Sequence, residues 1–232
     1  MDHPGPGEFK DWLGARAREL GFARVGFASC GPFDSERERL ETWFGEGRGS
    51  LLPYLDPDVL VDPRALFPEA RTALVGFFPY ARPGAVPGQV PGSLKLSRYL
   101  WGEDYHLILK PRLATLLGEA QARWPGLEGR VCVDTAPLLE RQLAARASLG
   151  WQGKHTLLIA GKDASCGFLG VLLLSVDLPA DRPVTMDHCG TCRACLEACP
   201  SGALEPFLLD PALCLTTYTV ETEAEPPAPV LE

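Results

Sequence analysis

The sequence predicts an α/β domain up to about Pro183, followed by a cysteine-rich segment over residues 187–214 and an acidic tail over 221–232. Three observations carry this. Helical apolar stripes alternate with short apolar runs of strand length as far as Pro183. Hydrophobic residues make up 46% and charged residues 22%, enough to build a core and too apolar for a disordered chain. Five of the eight cysteines then fall within residues 189–214.

In order along the chain, residues 8–20 place Phe9, Trp12, Leu13, Ala17 and Leu20 on one helical stripe, with Gly21 as a stop. FARVGFA (22–28) reads as a strand, and 34–44 as a helix with Leu40, Trp43 and Phe44 inward. Gly45 to Pro68 is broken by prolines and reads as loop with short turns. TALVGFFPY (72–80) is a continuous apolar run, the pattern of a strand buried on both faces. ARPGAVPGQVPG (81–92) is a long Gly/Pro loop. Residues 104–123 form a helix with a kink expected at Pro111. VCVD (131–134) is a strand, 136–150 an amphipathic helix ending at Gly150, 155–160 a strand, and 167–179 another apolar strand. The tail ETEAEPPAPVLE is acidic, proline-rich and expected to be disordered.

Composition narrows the function classes. Against 22 Lys and Arg stand 30 Asp and Glu, a net charge of −8, which disfavours non-specific nucleic-acid binding. An RNA contact therefore needs a local basic patch. The opening MDHPGPG lacks the basic and apolar regions of a signal peptide. The longest apolar stretch, Phe168 to Val176, is far short of the ~20 residues that span a bilayer. A cytoplasmic monomer without a membrane partner is expected, its thiols reduced and any clustered cysteines serving metal or catalysis.

Cys30, Cys132 and Cys166 are scattered and read as small buried hydrophobes. Cys189, Cys192, Cys195 and Cys199, followed by Pro200, reproduce the bacterial ferredoxin-type run. Such spacing lets successive thiolates converge on one iron–sulfur cube, whereas zinc favours two CxxC pairs with a longer spacer. A 4Fe–4S cluster takes four thiolates, and Cys214 is the fifth candidate ligand. One cluster is expected, or two if further ligands come from a segment outside these residues.

Three stretches, with the cysteine run, resemble the epoxyqueuosine reductase family. SRYLWGEDYHLILKPRL (97–113) is similar to its RYxxGxDYH segment. VDTAPLLERQLAARASLGWQGKHTLLI (133–159) resembles its VDxxPxLER…AxxAGLGWxGKNTLLI segment, and CLTTYTVE resembles the stretch after its first cysteine motif. The resemblance covers residues 8 to 221. It implies a cobalamin-dependent iron–sulfur enzyme that reduces epoxyqueuosine to queuosine in tRNA. It further implies a cobalamin-binding α/β domain over 1–183, a partial ferredoxin-like domain over 184–220, an external electron donor and a tRNA anticodon stem-loop as substrate. The second cysteine motif and the helical repeats of the family are missing from these residues. His155 stands where the family has Asn, Leu60 where it commonly has Arg, and the acidic residue of its GSxFFLGE stretch is replaced within 164–171.

The candidate site residues follow. Asp134 reads locally either as a helix cap before Pro137 or as a general acid at a strand end. The resemblance makes it the proton donor, a role favoured by a raised pKa. Arg98, Tyr99, Asp104, Tyr105 and His106 read as cap and packing residues or as the lining of a cleft. Arg141 reads as part of an exposed helix face, while Lys154 and Thr156 follow on a tight connection. The resemblance turns all eight toward cobalamin. Lys10, Arg37, Arg39 and Arg48 read as solvated charge. A different class of function stays open: a shortened paralogue that binds cobalamin or carries electrons without turnover, or an inactive fragment.

Overall fold

The computed structural model describes residues 4–80, 97–161 and 165–231; the Gly/Pro loop at 81–92 lies outside them. Helix α1 (Pro6–Glu19) buries Phe9, Leu13 and Ala17 and ends before Gly21, whose φ of 97° only glycine adopts freely. Strand β1 (Arg24–Ser29) follows, then α2 (Asp34–Gly45) and the short α3 (Pro57–Leu60) within a region of turns, as the prolines there predict. Strand β2 (Thr72–Pro79), helix α4 (Tyr105–Arg123), β3 (Gly129–Cys132), α5 (Glu140–Arg146), the hairpin β4 (Trp151–Gln152) and β5 (Leu158–Ile159), and β6 (Gly167–Leu174) complete the α/β part of the chain.

The main sheet has the order β1-β2-β6-β3, and every pairing is antiparallel. Alternation of helix and strand therefore does not bring a parallel sheet here. Both faces are nonetheless covered, which explains the continuous apolar runs of β2 and β6. Successive side chains of a strand point to opposite faces. Leu172 and Leu174 pack with Phe9, Leu13, Leu109, Leu113 and Leu116 from α1 and α4. Val171 and Leu173 pack on the other face with Leu143 and Ala144 of α5 and with Ala147 just after it. Gly26 is required where β1 meets α5, because any Cβ would collide with the carbonyl oxygen of Ala147.

Three expected elements are shorter, one of them the last strand, which ends at Leu174 rather than 179. The helix expected over 136–150 begins only at Glu140 and ends at Arg146. Asp134 and Pro137 hold the preceding chain irregular, and Leu138 is buried from a loop rather than a helix face. The strand expected over 155–160 contracts to Leu158–Ile159, because His155 and Thr156 turn the chain, Thr156 with a φ of 69°. The inward residues of α2 are half-buried, and the Trp43 indole donates to the Leu209 carbonyl at 3.1 Å.

The cysteine segment contains α6 (Ala194–Glu197) and the hairpin β7 (Leu204–Glu205) and β8 (Leu208–Leu209). It docks on the α/β part through charge that reads as solvated in the sequence. Arg48 meets Asp210 at 3.3 Å and Glu205 at 3.6 Å, and Arg39 donates to the Phe207 carbonyl. Lys10 likewise pairs with Asp181 at 2.6 Å. The expected disordered tail carries a four-residue helix, α7 (Ala228–Leu231). Among the described residues no helix is long and apolar enough to cross a membrane.

Candidate active site

The register places the ends of β2, β3 and the start of β6 at one end of the sheet, with Pro79 opposite Gly167 and Cys132 opposite Val171. Asp134 lies two residues beyond β3, at that end. It is not a helix cap: α5 begins six residues later, with Leu139 at its cap position. Asp134 has φ 55°, and the Thr135 N–H donates to the Val133 carbonyl at 2.7 Å. This is a three-residue turn of the rare, strained hand. Its side chain is 58% exposed, so the carboxylate is open to solvent.

Helix α4 brings the partners. Asp104 caps it, accepting from the His106 N–H and from His106 Nδ1, both at 2.8 Å. These two N–H groups, the backbone one first, hold the Asp104 carboxyl below its ordinary value. An ionised carboxylate only accepts, so Nδ1 carries the hydrogen and Nε2 of a neutral ring has its lone pair free. That Nε2 is buried, lies 3.4 Å from Asp134 Oδ2 and makes no hydrogen bond. The Tyr105 ring stacks between His106, at 4.2 Å, and Phe168, at 4.0 Å. Burial, then hydrogen bonding to Asp134, raises the Tyr105 hydroxyl pKa and keeps it protonated. Tyr80 extends the aromatic wall, 4.9 Å from Phe168, and feels both Tyr99 and Arg98 electrostatically. Arg98 also lies 5.8 Å from the Trp101 ring.

The structure thus gathers Tyr105, His106, Asp104 and Asp134, with Arg98 and Tyr99 on the adjoining wall. Arg141, Lys154 and Thr156 form a second group. Arg141 donates to the Thr156 carbonyl at 3.3 Å, and desolvation by the surrounding chain lowers its guanidinium. Lys154 turns to the cysteine segment, its Nζ 2.5 Å from the Gly190 carbonyl and 3.0 Å from that of Cys192. Sequence reasoning missed Glu140 as a site residue. Its Oε1 accepts the Asp134 N–H at 2.9 Å, and burial, then the Asp134 charge, push its carboxyl up to about 7 against the opposing pull of that N–H. Nothing in LER marks this, since Glu at a helix start is the ordinary dipole partner.

All five cysteines of the segment are free thiols. Among the described residues no three His, Cys, Asp or Glu side chains are gathered as a metal cage. The donor set still suits a cluster. The Cys189 N–H is held by Asp187, and the Cys192 N–H bonds the Cys189 carbonyl. Burial raises the Cys199 thiol, but the Ser201 hydroxyl and the N–H groups of Ala203, Ser201 and Leu204 outweigh it and lower the pKa, favouring thiolate. The α/β side offers unpaired polar groups of the kind amide arms engage: among the described residues, buried His106 Nε2 and Trp151 Nε1 lack a hydrogen-bond partner.

Comparison with known proteins decides the family. A protein from Cellulophaga algicola named epoxyqueuosine reductase is 34% identical over 223 residues, covering 94% of this chain and 71% of the relative. The chain belongs to the epoxyqueuosine reductase family. The family profile described as "Epoxyqueuosine reductase QueG, DUF1730" matches residues 61–135, which include Asp104, Tyr105, His106 and Asp134. A solved epoxyqueuosine reductase with an epoxyqueuosine-modified tRNA-Tyr stem loop superimposes with TM-score 0.80 and 27% identity, over 94% of this chain and 59% of that one. The Bacillus subtilis epoxyqueuosine reductase, in a structure with an aspartate catalytic loop swung out of the active site, gives TM-score 0.82 and 26% identity over the same shares. The chain thus spans less than two thirds of these solved relatives. The catabolic reductive dehalogenase NpRdhA shares the fold alone, at TM-score 0.54 and 21% identity.

Proposed function

We propose that this chain carries the reductive core of an epoxyqueuosine reductase, converting epoxyqueuosine in a tRNA anticodon stem-loop to queuosine, with Asp134 as proton donor. The observation that carries it is the Asp134 carboxylate, held in a strained turn against His106 Nε2 and the Tyr105 hydroxyl at the open end of the sheet. Opening an epoxide C–O bond leaves an oxyanion that must be protonated. Asp134 delivers that proton, with His106 Nε2 3.4 Å from its Oδ2. Asp104 fixes the ring tautomer, and Tyr105 steadies the carboxylate.

Cobalamin, when bound, supplies the low-valent cobalt reductant, and an iron–sulfur cluster supplies its electrons from an external donor. Arg98, Tyr99, His106, Arg141, Thr156 and the Trp151 indole would hold the corrin, and Cys189, Cys192, Cys195, Cys199 and Cys214 offer the cluster thiolates. Lys154 holds the cysteine loop rather than the corrin. The gathering of the thiols is completed by metal insertion, since such sites form with their metal.

The test is turnover of an epoxyqueuosine stem-loop by anaerobically reconstituted protein, with iron and cobalt measured in the same preparation. Asp134→Asn should retain both metals and lose roughly a hundred- to ten-thousand-fold in rate. Unchanged turnover would remove Asp134 from its role. An inactive unmutated chain that holds both metals, with strong reductant supplied, would overturn the enzymatic reading.

A further inference from the structure

We infer that Glu140 is the positioning residue for Asp134: its carboxylate latches the Asp134 turn, and so sets where the acid points. The inference rests on the proton-donor reading for its catalytic meaning, while the latch itself is measurable without cofactor or substrate.

The turn needs a latch. Asp134 is a non-glycine residue at φ 55°, central to a three-residue turn, and such a conformation persists only where its surroundings impose it. Strand pairing ends at Cys132, and regular structure resumes only at Glu140, so the sheet and helix do not restrain the turn directly. The Asp134 N–H is taken across six residues by Glu140 Oε1 at 2.9 Å. Glu140 stands on a rigid base, because α5 buries Leu143 and Ala144 in the core. An acidic residue that only served the helix dipole would have no need to send an oxygen to an amide outside its own helix.

The latch also has a chemical setting of its own. Glu140 faces the Asp134 carboxylate on the turn, Arg141 on its own helix, the Tyr105 hydroxyl from α4 and the Cys132 thiol from β3. An ionised carboxylate accepts the amide hydrogen bond strongly, and a protonated one only weakly. The grip on Asp134 therefore tightens as pH rises through the titration of Glu140.

The experiment is amide hydrogen exchange and ¹⁵N-resolved NMR on the full cofactor-free chain and its Glu140→Ala and Glu140→Gln variants. In Glu140→Ala the Asp134 amide should exchange about ten- to a hundred-fold faster, the scale of a lost charge-assisted hydrogen bond, while the amides of Ala144 and Ala147 hold their rates. Glu140→Gln, whose amide oxygen still accepts, should restore most of the protection. Equal loss of protection along α5 would make Glu140 merely structural and overturn the latch. So would an unchanged Asp134 exchange rate in Glu140→Ala, or protection in Glu140→Gln, the variant that decides if the alanine protein does not fold, above that of the unmutated chain. Turnover of Asp134→Asn fails or succeeds separately, so the two readings are told apart.

Discussion

Replacing Lys154 by Met removes the ammonium and keeps most of the aliphatic stem, so it isolates what the charge does for the cysteine segment. Nζ reaches the Gly190 carbonyl at 2.5 Å and the Cys192 carbonyl at 3.0 Å, both within the loop that carries the first two cysteines. A hydrogen bond from a charged group contributes about 1.5–3 kcal/mol when protected from water. Lys154 is half-buried, so screening brings each bond down to about 1 kcal/mol. Together they hold the loop closed by about 2 kcal/mol, roughly a thirty-fold bias. The Phe207 N–H donation to the Lys154 carbonyl is untouched by the substitution and keeps the backbone in place. Mass-resolved hydrogen exchange on residues 187–200 should therefore quicken about thirty-fold in Lys154→Met, with α4 unchanged, and reconstituted protein should lose iron faster to a chelator. Exchange within two-fold of the unmutated chain would refute the clamp, and Lys154 would return to the corrin lining that the family resemblance implies.

Two further outcomes are expected. Gly26→Ala drives a methyl into the Ala147 carbonyl and the Leu149 side chain, so overpacking should cost about 2 kcal/mol or more and lower Tm by roughly 4–8 °C in a thermal melt; an unshifted midpoint would deny the close approach of β1 and α5. Burial first, and the Arg141 charge second, lower the His155 pKa, so the unfolded chain takes up a proton near pH 6.5 before the folded chain does. Its contribution to stability is present above that value and lost as pH falls through the folded pKa. His155→Asn should accordingly narrow the difference in urea midpoint between pH 5 and pH 7.5, and an unaltered difference would contradict the burial of the ring.

Elements whose apolar pattern reports burial directly were legible. The stripe through Phe9, Leu13 and Ala17 became α1, and the unbroken runs at 72–80 and 167–179 became central strands because helices cover both faces of the sheet. Pairing direction was not legible, since alternating helices and strands say nothing of where each strand re-enters. The helix over 136–150 was overdrawn for a related reason. Leu139 falls in phase with Leu143, but it and Leu138 are packed from the irregular chain between Asp134 and Glu140. At the site, Asp104 as a cap and Asp134 beside a strand end were readable from residue type and spacing, together with the family resemblance. Glu140 and Arg48 were not, because each is defined by a partner its neighbours do not announce: an amide six residues back, and carboxylates near residue 205.

The position of Lys154 changes how the two halves of the chemistry are related. Under the proposed function the electron source and the acid work at a fixed separation, and one short stretch joins the two places. From the cysteine loop, Lys154 grips the Gly190 and Cys192 carbonyls, and the Trp151 ring meets His188, the neighbour of Cys189, at 4.6 Å. Two residues on, the Thr156 carbonyl accepts from Arg141. Arg141 follows Glu140, which holds the amide of Asp134. His155 keeps the turn in this path: its Nδ1 accepts the Leu157 N–H at 3.2 Å, a bond to an amide two residues on that an Asn carbonyl also makes. The lowered His155 pKa keeps that nitrogen an acceptor near neutrality, so the exchange of Asn for His preserves the turn. Residues 133–159 therefore link the Asp134 turn to the cysteine loop through a chain of contacts, and under the proposed function they act as a strut between the acid and the electron source.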